Sequence, residues 1–326
     1  MPQAAHHGGD GARVAAALGL HPAQVLDLSA SLNPVAPDPV PIVARHLGAI
    51  GTYPDPGPAA ACLAGYLGAD PGRVLLTNGG AEAIALVAAE LGRGWVEEPD
   101  FGLYRRHLST LDPGGPQWRS NPHNPTGRLA AADRAVGVWD EAFYPLATGS
   151  WTRGDADRGS IVVGSLTKLL GCPGLRLGYV LAPDPALVSR LAGRQPQWSV
   201  NGPAVAALPE LLEMVDLAAW AAAVARLRSE LTDLLVSHGL RPRPSDANFV
   251  LVDGAGGLRE RLAPHGVVVR DCTSFGLPGA VRVAVPNGDG LGRLARALEA
   301  AGRAGTLEAA GAGALEAAGA GQGGRP

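Results

Sequence analysis

The 326-residue chain is poor in lysine, cysteine and aromatics, and each scarcity excludes something. Three cysteines, Cys62, Cys172 and Cys272, stand far apart with no CxxC pair and no histidine cluster, so neither a disulfide framework nor a zinc site is expected, and no metal at all. They read as reduced packing residues. Charged residues make up only 17% of the chain, the formal net charge is -3, and no long basic run occurs, which leaves nucleic acid no electrostatic footprint. No apolar run is long enough to cross a bilayer. The opening MPQAAHHGGDGARV has neither a basic start nor an apolar stretch, so no secretory signal is read and the cytoplasm is the expected location. A small molecule is then the natural partner.

What is present suggests two domains. Ser29 to Pro58 is crowded with prolines and turn residues and predicts an irregular arm. From Arg73 to Val96 the chain reads as strand, Gly-rich turn, Ala-rich helix and strand, an α/β alternation that predicts a parallel or mixed sheet. Further strands are expected in AVGVW ending at Asp140, in SIVVGS ending at Ser165, and in LGYVLA after Arg176. Helix formers dominate from Pro203 to His238, and NFVLV, GVVVR, AVRVAV and a closing helix to Ala301 predict a smaller α+β unit. The expected division is an N-terminal arm over 1–40 that contributes to the small domain, a large domain over 41–205 and a small domain over 206–303. An Ala/Gly-repetitive tail over 304–326 is expected to be disordered.

Lysine scarcity singles out one position. Of the 27 basic residues 26 are arginine, and the lone lysine, Lys168, follows a buried strand in GSLTKLLG. On residue type alone it could be a surface lysine on a loop. Arginine, however, cannot replace lysine where an amine must lose its proton and attack a carbonyl. A chain that uses arginine everywhere else points to Lys168 as a nucleophile. NPHNPTG, Asn121 to Gly127, could be a simple turn, yet Asp140 follows in WDEAF at a strand end, where α/β sites collect. A buried aspartate can keep a pyridinium nitrogen protonated and an asparagine amide can donate to a phenolate oxygen, the two polar needs of pyridoxal phosphate (PLP). Thr77 to Glu82 forms a Gly-rich strand-to-helix turn suited to a phosphate, with Ser165, Thr167 and Arg176 able to complete the anion site.

NPxNPTG, DEAF, SLTK and GLRLGY in this order resemble the class I/II aminotransferase family of fold-type I PLP enzymes, from His7 to about Ala301. The resemblance implies PLP as cofactor, with Lys168 as its Schiff-base lysine and Asp140 at the pyridine nitrogen. It implies Asn124 at the phenolate oxygen, and Gly80, Ala81, Ser165, Thr167 and Arg176 around the phosphate. It further implies a homodimer in which Tyr53 reaches the neighbouring subunit's phosphate. Phe101 or Tyr104 in EPDFGLY is the candidate to cover the ring face, core packing being the plain alternative for each.

Within the family two groups compete, histidinol-phosphate aminotransferases and the threonine-phosphate decarboxylases of cobalamin biosynthesis. HHGGD, DLSASLNP, QWSVNGPA, ANFVLV and VRDCTSFGLPGAVRVAV resemble the decarboxylases. Phe143 leans the same way, standing where aminotransferases place a tyrosine. That resemblance implies decarboxylation of L-threonine O-3-phosphate to (R)-1-amino-2-propanol O-2-phosphate, transamination of histidinol phosphate with 2-oxoglutarate being the alternative. Arg282 would hold the substrate carboxylate, and some of His7, Asn33 and Arg270 its phosphate. For the two arginines the plain alternative is solvated strand-end charge, for His7 a mobile terminus and for Asn33 a turn. The chain departs from the family between Tyr104 and Asn121 and between Asn124 and Asp140, both shortened, so a strand or helix is expected to be missing there.

Overall fold

A computed structural model describes residues 8–319, with side chains to residue 303. Among them run twelve strands: β1 (Leu26–Leu28), β2 (Val74–Asn78), β3 (Arg93–Val96), β4 (Thr110–Leu111), β5 (Gln117–Ser120) and β6 (Val138–Asp140), then β7 (Ile161–Gly164), β8 (Leu177–Leu181), β9 (Arg241–Pro242), β10 (Phe249–Asp253), β11 (Val267–Asp271) and β12 (Val281–Ala284). They form a seven-stranded sheet of order β2-β8-β7-β6-β5-β3-β4 and a five-stranded sheet of order β1-β11-β12-β10-β9. In the large sheet only β8 runs antiparallel to its neighbours, so the architecture is α/β with a mostly parallel sheet. In the small sheet β1, from the N-terminal arm, pairs parallel to β11 and the other pairings are antiparallel.

The large sheet is buried on both faces, which explains why β7 reads as an unbroken apolar run. Side chains alternate across it: Val138, Val163 and Val180 meet the helix Gly79–Leu91 through Ala83, Ile84 and Val87. Trp139, Val162, Tyr179 and Leu181 face the opposite way, toward Leu208, Leu212 and Trp220. A separate core joins Val250, Val267, Val269 and Val283 of the small sheet to Leu231, Leu235, Leu294 and Leu298. The closing helix runs Gly288–Gly319, past the Ala301 where the sequence reading ended it, because Ala, Leu and Glu sustain helix propensity.

The shortened region keeps its strands and loses its helices: no helix lies between residues 108 and 143. The loop 112–116 instead crosses β3 directly, backbone against backbone. A Cβ on Gly94 would meet the Pro116 carbonyl oxygen at 2.9 Å, one on Gly115 would meet Gly94 Cα at 3.0 Å, and one on Gly137 would meet Pro116 Cβ at 2.5 Å. The loop before β6 is held by Ala130 N donating to Asn121 Oδ1 (3.0 Å) and Arg153 donating to the carbonyls of Ala131 and Ala132 (2.8 and 2.7 Å). Gly94→Val should therefore destabilise the fold by roughly 1–3 kcal/mol, the cost of overpacking a closed contact. A denaturant midpoint equal to that of the parent would disprove this account of the crossover.

Candidate active site

The carboxyl ends of β5, β6 and β7 open onto a pocket of about 430 Å³, closed from the other side by Arg270 and Arg282 of the small sheet. Lys168 sits on a single helical turn, Leu166–Leu169, that starts as β7 ends. Its backbone is anchored by the N-terminal arm: Asn33 N donates to the Lys168 carbonyl (3.0 Å) and Asn33 Nδ2 to the Leu169 carbonyl (2.9 Å). The Nζ lies 5.3 Å from the centroid of the Phe143 ring. Burial, followed by the charge of Arg282, brings the Lys168 amine down to about 8, with Asp140 opposing the shift.

Asp140 ends β6 with one oxygen accepting from Ala142 N (3.0 Å) and the other from the Tyr104 hydroxyl (2.8 Å). Burial raises its carboxyl above the usual range, while Tyr104, Ala142 and Lys168 counter it. An ionised carboxylate enclosed there calls for a cationic partner, and a protonated pyridine nitrogen is one. Asn124, also buried, accepts at Oδ1 from Arg282 Nη1 (2.6 Å).

The opposite end of the pocket is an anion cradle. Gly80 and Ala81 begin the 13-residue helix Gly79–Leu91, and free N–H groups at a helix start bind anions. Ser165 packs against this turn, a Cβ on Gly80 falling 3.4 Å from Ser165 Cβ. Arg176 adopts a left-handed backbone (φ 57°) and lays its guanidinium so close over Gly79 that a Cβ there would meet Nη2 at 2.4 Å. Thr167 lines the pocket but donates its hydroxyl to the Leu177 carbonyl (3.1 Å). A neutralisable lysine, a carboxylate for a ring nitrogen, an amide and a phosphate cradle together match the donor set that PLP needs.

Arg270 and Arg282 are register partners on β11 and β12. Arg282 donates to the Ser29 carbonyl (3.2 Å) and stacks over Phe249, yet its Nε is buried without a partner. Burial lowers it to about 10. Arg270 donates to Ser274 Oγ (2.7 Å) and lies over Phe275. The residues that line the pocket thus hold three arginines and Lys168 against one carboxylate, Asp140.

Not every anticipated residue reaches this pocket. Of the two aromatic candidates for the ring face, Phe101 lines it, whereas Tyr104 is fully buried behind Asp140, its ring against Trp118. Asn33 spends its amide on the Lys168 turn and on Val35 N, and does not line the pocket. Tyr53 is 77% exposed, away from the pocket and stacked on Trp198 at 4.2 Å. His7 lies outside the described residues. Ser29, Phe275 and Ser120 line the pocket without having been singled out. The only signal for the first two was their place in DLSASLNP and DCTSFG, beside residues that were.

Residues 118–299 match the model of the family described as aminotransferase class I and II. The threonine-phosphate decarboxylase of Salmonella typhimurium is 30% identical over 334 residues, covering 82% of this chain and 88% of that protein. A histidinol-phosphate aminotransferase of Halobacterium salinarum is also 30% identical, over 83% of this chain and 89% of that one. Among solved structures, histidinol-phosphate aminotransferase from Sinorhizobium meliloti in complex with pyridoxal-5'-phosphate superposes with a TM-score of 0.78 at 20% identity, over 89% of this chain and 94% of that one. L-threonine-O-3-phosphate decarboxylase from Porphyromonas gingivalis superposes with a TM-score of 0.70 at 23% identity, over 83% and 98%.

Proposed function

The chain belongs to the class I and II aminotransferase family of PLP-dependent enzymes, and from that premise we propose that it decarboxylates L-threonine O-3-phosphate to (R)-1-amino-2-propanol O-2-phosphate. The observation that carries the reading is the pairing of Arg270 and Arg282 in one pocket with Lys168, beyond Arg176 in the phosphate cradle. Beyond Arg176, which would meet the cofactor phosphate, two guanidinium groups face the pocket as candidate partners for two further anions. A phosphorylated amino acid supplies both, a carboxylate and a phosphate. Phe143 beside Lys168 supports the decarboxylase over the aminotransferase, because it offers the cofactor oxygen no hydroxyl donor.

When bound, PLP supplies an electron sink for the carbanion left at Cα. Asp140 holds the proton on the pyridine nitrogen, and Asn124 donates at the ring's oxygen edge. Arg282 and Arg270 grip the two ends of the substrate and so orient its carboxylate, binding energy remote from the reacting bond being turned to orientation. Phe101 covers the ring and excludes water. Neutral Lys168 Nζ would be the nucleophile that captures the cofactor aldehyde with loss of water and, once displaced and protonated, the acid that returns a proton to Cα. A homodimer belongs to the same proposal, the stacked and exposed pair Tyr53 and Trp198 (77% and 55% exposed) being the apolar surface it would cover.

Only the neutral amine attacks a carbonyl, and its fraction grows as pH rises through the lysine's own value. Capture of PLP by apoprotein, followed by stopped-flow absorbance, should therefore quicken toward pH about 8 and level off above it. A rate still climbing toward the ordinary lysine value of 10.5 would contradict the enclosed amine.

The activity is tested by incubating PLP-loaded protein with L-threonine O-3-phosphate and following CO2 and aminopropanol phosphate by mass spectrometry. Product establishes the decarboxylase. No product, with glutamate formed from 2-oxoglutarate and histidinol phosphate, makes the chain an aminotransferase.

A further inference from the structure

A second buried carboxylate lies behind the pocket, and no role above uses it. Asp100 is 3% exposed, and burial pushes its carboxyl up to about 7 against the hydrogen bonds from Ser120 and Phe101, so it carries charge only above neutrality. Its Oδ1 accepts from Phe101 N (2.7 Å) and Ser120 Oγ (2.5 Å), and its Oδ2 from Ser120 N (3.0 Å). Ser120 Oγ in turn accepts from Asn124 N (2.7 Å). The polarity of this chain is forced: the Asn124 amide can only donate, so the single Ser120 hydroxyl proton points to Asp100. Hydrogen bonds thus tie one carboxylate to the backbone N–H of Phe101, whose ring lines the pocket, and through Ser120 to the backbone N–H of Asn124.

The same carboxylate is electrostatically close to Asp140. Ser120 is the register partner of Asp140 across β5 and β6, and the charge of Asp140 adds, after burial, to what raises the Asp100 carboxyl. Around Asp100 stand Asp140, Tyr104 and His123, whose Nε2 is 3.8 Å from Oδ2, while Glu98 takes the Asp100 N–H (3.2 Å). A serine or threonine at position 100 could accept from Phe101 N or Ser120 without bringing charge into the interior. The carboxyl group, charged once the pH rises above about 7, is therefore what needs a function.

We propose that Asp100 is a positioning residue of the cofactor site, fixing Phe101 and, through Ser120, Asn124, and adding its negative charge to that of Asp140 to hold positive charge on the cofactor. The proposal rests on PLP occupying this pocket at Lys168, and is independent of whether decarboxylation or transamination follows.

The test compares the parent protein with Asp100→Asn, which keeps the size and loses the charge. PLP dissociation constants and the pH titration of the visible absorbance of cofactor attached at Lys168 are measured alongside thermal midpoints. With Asp100→Asn the spectral midpoint should move down by about one pH unit, because a cationic imine loses a nearby anion, and PLP should bind about tenfold more weakly. An unmoved spectral midpoint and affinity, with only a lower thermal midpoint, would make Asp100 purely structural and overturn the proposal. Should Asp100→Asn fail to fold, Ser120→Ala separates the two arms, since it cuts the link to Asn124 and leaves the charge in place. It should weaken PLP binding with the spectral midpoint nearly unmoved; unchanged affinity would overturn the positioning arm. Parent protein that acquires no visible band on PLP addition would instead sink the cofactor reading itself, a result distinct from a parent band with an unmoved variant.

Discussion

Lys168→Ala is expected to leave a folded protein whose turnover of the proposed substrate, L-threonine O-3-phosphate, falls by on the order of 10⁴-fold or more, and which shows no borohydride-stable PLP adduct by mass spectrometry. Truncation costs the fold little. The Lys168 amine is enclosed and lowered to about 8, so removing it relieves a desolvated charge more than it breaks a contact. The chemistry has no substitute, because no second lysine exists anywhere in the 326 residues. Lys168→Arg should be as inactive as the alanine variant, since a guanidinium cannot lose its proton near neutrality. Retention of more than a few per cent of parental turnover in either variant would remove Lys168 from the chemistry.

The second large effect is expected at the other end of the ring. Asp140→Asn keeps the shape, its Oδ1 still able to accept from Ala142 N and its Nδ2 to donate to the Tyr104 hydroxyl oxygen, but it takes away the charge that keeps the pyridine nitrogen protonated. Removing one partner of a buried ion pair costs about 3–5 kcal/mol, which corresponds to roughly 10²- to 10⁴-fold in kcat/KM. PLP should still attach at Lys168, so the loss appears in turnover more than in loading. Steady-state kinetics with the loaded variant checks this, and a loss below about threefold would mean that Asp140 does not serve the ring nitrogen.

Much of this site was legible because its signals are local. One lysine among arginines, an aspartate closing an apolar strand and glycines between a strand and a helix each declare their chemistry within a few residues. The α/β alternation that orders the large sheet is also a contiguous pattern, with apolar runs where both faces are covered. Tyr104 shows where local signals stop. It and Phe101 lie three residues apart in one motif, yet Phe101, before the helix Leu103–His107, faces the pocket while Tyr104, within it, points inward to Asp140. Asn33 is similar, for its turn-forming side chain is consumed by the Lys168 loop, 136 residues away in sequence from its partner Leu169.

The shortened stretch before β6 was visible as missing length, and the alternatives of a lost strand or a lost helix were both open. Packing chose between them: Gly94, Gly115 and Gly137 allow the backbone to cross the sheet edge at contact distance, so the strands survive without helices between them. By itself, then, the sequence picked out the lone lysine, the aspartate that ends β6, the glycine turn before the helix and the α/β plan, because each depends on neighbours in the chain. Only the tertiary structure decided that Arg270 and Arg282 converge on Lys168 from a second sheet, and that Asp100 stands buried behind Phe101 and Asn124. Those placements arise from the docking of the small sheet against the large one and from the register of β5 on β6. No run of adjacent residues encodes either distance.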